Sequence, residues 1–342
     1  MNRRVTLQEI AAKANVGVAT VDRVLNGRAP VRRSTADRVL SAARELGYHA
    51  QGLMERRVNQ LVPHKRLGFI LQKKSKWFYQ ALSEQIMRSV PDLTRIRAAA
   101  EVAFVESLSP GDLAAALRSM ADDVDAIALV SIDHPAVHAA IGDCASVNVP
   151  VFALLSPLST PAIAGYVGID GRRAGRTAGW AMAKFVGHGD EVGILVGSHR
   201  YLGHEALEAG FRSALREYAP HAGLRDSLVY LDDAAVAYEA TSEILRSVPG
   251  LKGLYHCGGG VSGVIRALTE AGRARDVFYI CHERSPYADE GLIEGTVDLL
   301  IANPVSQVVS KTLDLMEQSV TGKLSGTANG IIDFQLVTPE NL

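Results

Sequence analysis

The chain has 342 residues, 47% of them hydrophobic, and a net charge of −1, a length that suggests two or three compact units with room for a large core. No run of about 18 apolar residues occurs, and the N-terminus lacks the apolar stretch of a signal peptide, which excludes a membrane-spanning protein and predicts a cytoplasmic one. The three cysteines, Cys144, Cys257 and Cys281, are far apart and lack metal-ligand spacing, so we expect a reducing compartment, no metal and no cofactor.

The overall charge conceals a division between a basic N-terminus and an acidic remainder. Residues 1–66 contain 13 Lys and Arg against 5 Asp and Glu, a net charge of +8, which leaves −9 for the other 276 residues. A basic segment joined to an acidic body is typical of a nucleic-acid-binding module attached to a domain of another kind. Charge alone does not distinguish such a module from a basic surface that only faces solvent.

The basic segment predicts three short helices. The first begins at "TLQE" (Thr6–Glu9), which has the form of a capping box, and ends at "NVG" (Asn15–Gly17). The second starts at Val18 and ends in "NGRAP", and the third runs from about Arg32 to Leu46. Three short helices with a tight turn between the first two form a helix-turn-helix, so we predict a small all-α domain over residues 1–48.

The second helix predicts a DNA-reading surface. Val21, Val24 and Leu25 face inward, whereas Val18, Ala19 and Arg23 face outward near the N-terminus of the helix. Arginine can form a bidentate pair with guanine, and Val18 and Ala19 can contact thymine methyl groups in the major groove. The remaining candidates would contact phosphates and fix position: Thr6, Thr20, Asn26 and Tyr48. The alternative is a small helical bundle whose polar residues only face solvent.

Residues 5–48, "VTLQEIAAKANVGVATVDRVLNGRAPVRRSTADRVLSAARELGY", closely resemble the N-terminal domain of LacI/GalR-family transcription regulators. Two residues depart from the family pattern, because Gly17 and Asp22 stand where the family commonly has serine. Asp22 cannot donate to a phosphate; it can accept from a cytosine amino group, hold Arg23 in place, or face solvent.

The resemblance implies that the following segment, 49–66, is a hinge. In the family it folds on operator DNA into a short helix that wedges a leucine into the minor groove. Here the wedge position is Arg57, next to Arg56, and Ala50 replaces the usual proline. Two alternatives remain open: the arginines enter a narrow minor groove by electrostatics, or the segment is a flexible linker.

From Leu67 onward the pattern alternates between strands and helices, which predicts parallel sheets. Buried strands are predicted at 66–71, 100–105, 126–131, 149–155, 191–197, 253–258 and 277–282. Helices are predicted at Leu113–Met120, Ala174–Phe185, His204–Tyr218 and Val261–Ala271. The chain from Leu67 onward is similar to the periplasmic-binding-protein-like core of the same family. The resemblance implies two Rossmann-like α/β lobes, lobe 1 at about 67–168 and 296–323, lobe 2 at about 169–295 and 324–342, with ligand bound in the cleft.

An enzymatic core is disfavoured. "CGGG" (257–260) follows a predicted strand but lacks the residues of a P-loop or a dinucleotide fingerprint, and "HER" (282–284) and "DHP" (133–135) have no triad or metal spacing. We therefore predict that the protein is not an enzyme. A DNA-binding architectural protein without ligand is a further alternative, against which the large two-lobed core argues.

The effector-site candidates come from the resemblance. Trp77 and Phe78 match the family's aromatic position, and Glu283 matches a strand-end Asp that accepts from hydroxyls. Three family polar positions are occupied by Leu207, Cys257 and Ala302. The effector is then either less polar than a free hexose or held by replacements. The full set of predicted effector residues is Trp77, Phe78, His199, Arg200, Glu205, Cys257, Glu283 and Asn303, with His256 as a further replacement.

Together these features predict a cytoplasmic repressor of sugar or polyol genes that binds pseudo-palindromic double-stranded DNA as a homodimer under control of a small-molecule effector. The alternative is a regulator whose effector is a less polar, non-sugar metabolite. No leucine heptads follow "IIDFQLVTPENL", so we expect no coiled-coil tetramerisation tail.

Overall fold

The computed structural model describes residues 5–26, 31, 33–50 and 62–342. This part of the chain divides into two compact units, a helical head (residues 5–50) and a core that contains most of residues 65–342. The predicted boundaries at residues 48 and 66 stay predictions, and residues 51–61 lie outside the described part. The first strand of the core begins at His64, inside the predicted linker.

The head consists of three helices, as predicted: α1 (Leu7–Ala14), α2 (Val18–Asn26) and α3 (Arg33–Glu45). The capping box at Thr6 is present, since the Thr6 hydroxyl accepts from the Glu9 N–H and Glu9 Oε2 accepts from the Thr6 N–H at 2.9 Å. Asn15 ends α1 in the left-handed conformation. Small and β-branched side chains close the core between the helices: Ile10, Ala11, Val21, Val24, Ala36, Val39 and Ala43.

The core contains two six-stranded sheets. The first has the strand order β11-β5-β4-β3-β1-β2, and the second has the order β12-β10-β9-β8-β6-β7. The strands of the first sheet are β1 (His64–Gln72), β2 (Arg97–Val105), β3 (Ala126–Leu129), β4 (Val151–Leu154), β5 (Gly165–Ile169) and β11 (Ala328–Ile332). The strands of the second sheet are β6 (Glu191–Val196), β7 (Gly223–Val229), β8 (Leu251–Cys257), β9 (Phe278–Cys281), β10 (Leu299–Ala302) and β12 (Gln335–Val337).

Helices cover both sheets. They are α4 (Trp77–Ser89), α5 (Pro110–Ala121), α6 (Pro135–Ser146), α7 (Gly171–Met182), α8 (Leu202–Tyr218), α9 (Ala234–Ser247), α10 (Val261–Glu270), α11 (Pro286–Glu294) and α12 (Val305–Val320). Two single-turn 3₁₀ helices lie at Val90–Asp92 and Pro339–Asn341. Lobe 1 is the first sheet with α4, α5, α6 and α12, and lobe 2 is the second sheet with α7–α11. The two-lobed α/β fold is therefore as predicted.

The predicted segments of the lobes were partly wrong. Strand β10, predicted in lobe 1, pairs in parallel with β9 of lobe 2, and β11, predicted in lobe 2, pairs in parallel with β5 of lobe 1. β12 then returns to lobe 2 and runs antiparallel to β10. Each of these strands has three to five residues. Strands this short carry too little periodicity to show which sheet they join.

Candidate functional site

Helix α2 presents an exposed face on the head. Val21 and Val24 are buried, whereas Val18 is 43% exposed and Ala19 and Arg23 are also exposed. The 3.6-residue period of the helix separates the two faces, because every third or fourth side chain points the same way. The three predicted base-contacting side chains therefore share one solvent-facing surface.

Two polar residues of α2 bind each other on this surface. The Asn26 side-chain amide donates to Asp22 Oδ1 at 2.5 Å, one helical turn away. Of the alternatives for Asp22, the structure thus shows neither a bond to Arg23 nor a fully solvated side chain. Asn26 and Thr6 both use their polar groups within the head, and a phosphate would have to compete for them.

Of the other residues predicted to contact DNA, two are less exposed than Arg23 and one lies outside the described part of the chain. Thr20 and Tyr48 are half-buried, and the Tyr48 ring packs beside His49 with 4.6 Å between centroids. Arg57 lies outside the described residues.

A cavity of about 460 Å³ lies between the two lobes, at the carboxyl ends of the parallel strands. Gln72 ends β1, Leu155 follows β4, Gly258 follows β8 and His282 follows β9, and all four line the cavity. In open parallel sheets this edge collects the loops that bind ligands.

The lobe 1 wall of the cavity is largely apolar. Phe78 and Tyr79 of α4 line it together with Leu155 and Pro157. Polar residues of this wall include Lys73, Ser156 and Gln72, the last of which is 2% exposed. Its Nε2 donates to the Val130 carbonyl at 2.8 Å, while its Oε1 is buried and has no partner among the described residues.

The lobe 2 wall is polar and is built on two glycines. Asp232 Oδ1 accepts from the Gly259 N–H at 2.8 Å. Gly258 has φ +122°, a conformation open to glycine, and a Cβ at this position would collide with Asp232, as a Cβ on Gly259 would collide with Glu283. The two carboxylates therefore lie directly against the glycine backbone. His204 adds a donor, because its Nδ1 accepts from the Ser198 N–H at 3.2 Å and its Nε2 carries the proton.

A buried histidine supports this wall from beneath. His256 bonds the hydroxyl of Tyr279 through Nδ1 at 2.7 Å and that of Tyr230 through Nε2 at 2.6 Å. Burial lowers the pKa of His256 to about 3, so the ring is neutral at pH 7. The neighbouring His282 bonds Tyr255 at 2.7 Å, and burial lowers its pKa to about 3 as well. Hydrogen bonds to tyrosine hydroxyls therefore hold both rings in place, and neither ring adds positive charge to the cavity at pH 7.

The carboxyl group of Glu283, in the lobe 2 wall, has a raised pKa. Burial raises its pKa to about 7, the Lys76 ammonium opposes this rise, and the Asp232 carboxylate adds to it. A carboxyl group that changes charge near neutral pH is typical of a functional site, although structural groups can show the same shift.

Hydrogen bonds join the lobes around the cavity. Lys76 Nζ, at the start of α4, donates to the Asp232 main-chain carbonyl at 2.6 Å. The Asp133 N–H donates to the Arg200 carbonyl at 2.8 Å, and the Gly203 N–H donates to Ser156 Oγ at 3.0 Å. The structure therefore shows the lobes in a closed arrangement.

The structure brings three of the eight predicted effector residues to the cavity: Phe78, Glu283 and Asn303. The other five do not line it. Trp77 is 42% exposed, because the first turn of α4 turns its ring outward while Phe78 turns inward. Cys257 is fully buried beneath the wall, and Arg200 and Glu205 face solvent. His199 is exposed and pairs with Glu208 at 2.8 Å.

Sequence reasoning missed several cavity residues, notably Gln72, Lys76, Asp232, His204 and His282. A signal was present for two of them. Gln72 directly follows the predicted strand 66–71, and His282 ends the predicted strand 277–282, which is where side chains reach the ligand edge of a parallel sheet. Asp232 follows β7, a partly exposed strand that the pattern did not reveal.

Two family models match the chain. Residues 96–324 match the periplasmic binding protein domain, and residues 6–51 match the lacI family of bacterial regulatory proteins. The chain is 35% identical over 91 residues to the HTH-type transcriptional regulator pepR1 of Lactobacillus delbrueckii subsp. lactis, and 35% identical over 86 residues to catabolite control protein A of Priestia megaterium. These alignments cover 25% and 24% of this chain and only 26% and 24% of the two relatives.

Solved structures share the fold of the core. The glucose-galactose binding protein GanP of Geobacillus stearothermophilus has a TM-score of 0.73 at 18% identity, with 81% of this chain and 99% of that chain covered. A solute binding protein of an ABC transporter from Burkholderia graminis C4D1M, solved with D-arabinose, has a TM-score of 0.74 at 19% identity, with 82% and 97% covered.

Within the described part of the chain, no helix is long and apolar enough to cross a membrane, and no group of three or more potential ligands could hold a metal ion. The matched domain at 96–324 covers well over half of the sequence. The chain therefore belongs to the periplasmic binding protein domain family, and it carries at its N-terminus the helix-turn-helix domain of the lacI family of bacterial regulatory proteins.

Proposed function

We propose that this protein is a sequence-specific DNA-binding regulator of transcription, a repressor whose affinity for its operator is controlled by a small molecule bound between the lobes. The observation that carries the proposal is the presence, on one chain, of a helix-turn-helix with an exposed α2 face and a two-lobed core with a cavity between its lobes. We assign the protein to the cytoplasm, where operator DNA is, and propose no enzymatic role.

On DNA, α2 enters the major groove and Arg23 pairs with a guanine, while Val18 and Ala19 contact thymine methyl groups. Thr6, Thr20, Asn26 and Tyr48 contact phosphates and set the register. Arg57 of the hinge approaches the minor groove. A homodimer presents two such helices about one helical turn apart on a pseudo-palindromic site.

In the core, the proposed effector is a sugar or polyol that contacts Phe78, Glu283 and Asn303. One solved protein of this fold is named a glucose-galactose binding protein and another was solved in complex with D-arabinose, and the cavity of this chain combines apolar rings with polar acceptors. An effector controls the operator only to the extent that it binds the two arrangements of the lobes with different affinity.

The test has two arms on the full-length protein. Selection from a random double-stranded DNA library, followed by fluorescence anisotropy, should yield a pseudo-palindrome bound far more tightly than unrelated DNA. Addition of sugars and polyols should then change the affinity for that site. A protein that binds all DNA equally, or whose specific binding responds to no small molecule, would contradict the proposal.

A further inference from the structure

The lobe 2 wall of the cavity concentrates negative charge at one place. The carboxyl groups of Asp232 and Glu283 both lie against the backbone of Gly258 and Gly259, and each occupies space that a Cβ would need. Both residues line the cavity.

Among the described residues, the cations that line the cavity are Lys73, Lys76 and Arg172. Lys76 is the cation that acts on Glu283, but its Nζ donates to the main-chain carbonyl of Asp232. Among residues 5–26, 31, 33–50 and 62–342, no Lys or Arg forms an ion pair with either carboxylate. The buried rings of His256 and His282 are neutral at pH 7. The two carboxylates therefore lie side by side in the cavity wall without an ion-pair partner among the described residues.

An independent feature points to a ligand on the same cavity. Gln72 is 2% exposed, and its amide orientation is fixed, because the Val130 carbonyl can only accept and so must face Nε2. Its Oε1 is left buried without a partner in the described chain, and so is Oδ1 of Asn303. Unpaired buried acceptors are costly, and a ligand that donates hydrogen bonds would satisfy both.

We propose, on the basis of the function proposed above, that the effector is a small hydroxylated amine. Its ammonium group lies between Asp232 and Glu283, where it pairs with both carboxylates. Its hydroxyl groups donate to Gln72 Oε1 and Asn303 Oδ1, which are neutral acceptors and require no charge on the ligand. Its carbon skeleton packs against Phe78 and Leu207.

Matched pairs of probes that differ only in an amine test this assignment. Isothermal titration of the full-length protein is carried out with D-glucosamine and D-glucose, D-galactosamine and D-galactose, and D-glucamine and D-glucitol. We expect the amine of at least one pair to bind at least about tenfold more tightly than its hydroxyl partner. A ratio of this size corresponds to the free energy of one charge-assisted buried hydrogen bond. Hydroxyl partners that bind as well as or better than every amine, or a set in which no amine binds, would overturn the proposal.

Variants locate the ammonium. Glu283→Gln and Asp232→Asn should each reduce the preference for the amine by about tenfold; the amide introduced by Asp232→Asn keeps an oxygen for the Gly259 N–H. Glu239→Gln removes a carboxylate from the exposed face of α9, outside the cavity, and should leave the preference unchanged. A preference that survives both cavity variants would show that the amine binds elsewhere. Failure of the proposed function is distinct, because the protein would then lack specific DNA binding in the anisotropy measurement, whichever member of each pair it binds.

Discussion

The polar groups of the head and those of the cavity stand in opposite environments. On α2, Arg23 and Ala19 face water, and substitutions there remove little from the fold. In the cavity, Gln72 and His282 are almost fully buried, and Glu283 has an altered pKa caused by burial and by its charged neighbours. The difference teaches that binding and stability can be separated in the head, whereas in the cavity each substitution changes both.

The largest contrast is expected between two glycines. Gly258→Ala places a Cβ against Asp232 and Tyr230 at φ +122°, so we expect a loss of about 2–4 kcal/mol in the free energy of unfolding. Gly17→Ala, before α2, meets no atom within 4 Å and should change it by less than about 0.5 kcal/mol. Urea unfolding followed by circular dichroism measures both. Equal effects at the two sites would contradict the contrast between the regions.

Removing the charge of Glu283 should stabilise the protein in a pH-dependent way. Its folded pKa of about 7 exceeds the ordinary value of 4.5, so the native state holds the proton more tightly and loses stability as the pH rises from about 4.5 to about 7. Glu283→Gln has no such proton, and above pH 7 it should be more stable than the wild type by about 2–3 kcal/mol.

The gain of Glu283→Gln should disappear below about pH 4.5, where the wild-type carboxyl group is neutral in both states. Thermal unfolding of the two proteins between pH 4 and pH 8 measures the difference, with Glu239→Gln as the exposed control. A difference that is constant across this range would show that Glu283 does not titrate near neutrality.

In the head, Arg23→Ala should weaken operator binding by about 1–3 kcal/mol and relax the preference at one base pair of each half-site. The melting temperature should stay unchanged, because Arg23 is exposed on the face of α2 opposite the buried valines. Thr20→Ala, at a proposed phosphate contact, should instead weaken binding to all sequences equally. Full discrimination at every position in a base-substitution series with Arg23→Ala would remove the base-reading role.

The smallest effect is expected at the start of α1. Thr6→Ala removes the hydroxyl that accepts from the Glu9 N–H and should lower the stability of the head by about 0.5–1 kcal/mol. Thr6→Ser keeps this acceptor and should restore most of the loss. Thermal unfolding followed by circular dichroism at 222 nm measures this loss of stability. An alanine variant as stable as the serine variant would mean that the cap contributes nothing measurable.

The sequence predicted the head almost completely, because its helices are local structures with their own signals. Thr6 and Glu9, three residues apart, mark the start of the first helix, and Val18 to Asn26 displays its two faces within nine residues. The alternation of strands and helices likewise predicted the two-lobed fold.

The cavity was predicted only in part, because it is assembled from loops that are far apart in the sequence. Asp232 and Gly259 meet across 27 residues, and Lys76 meets Asp232 across 156. Two adjacent aromatic residues, Trp77 and Phe78, separate into an exposed and a buried side chain at the start of one helix. Such choices depend on tertiary packing rather than on local pattern.

The hydrogen bond from Lys76 to the Asp232 carbonyl, with its two companions at Asp133 and Gly203, links the two lobes across the cavity. Each of these bonds favours the closed arrangement over an open one, and a larger closed fraction brings the apparent affinity for an effector closer to its intrinsic value. The same arithmetic limits the effector, because it can shift lobe closure only as far as the open population extends. A Lys76→Met variant, which lacks the bond to the Asp232 carbonyl, should enlarge the open fraction and give the effector a greater range of control over DNA.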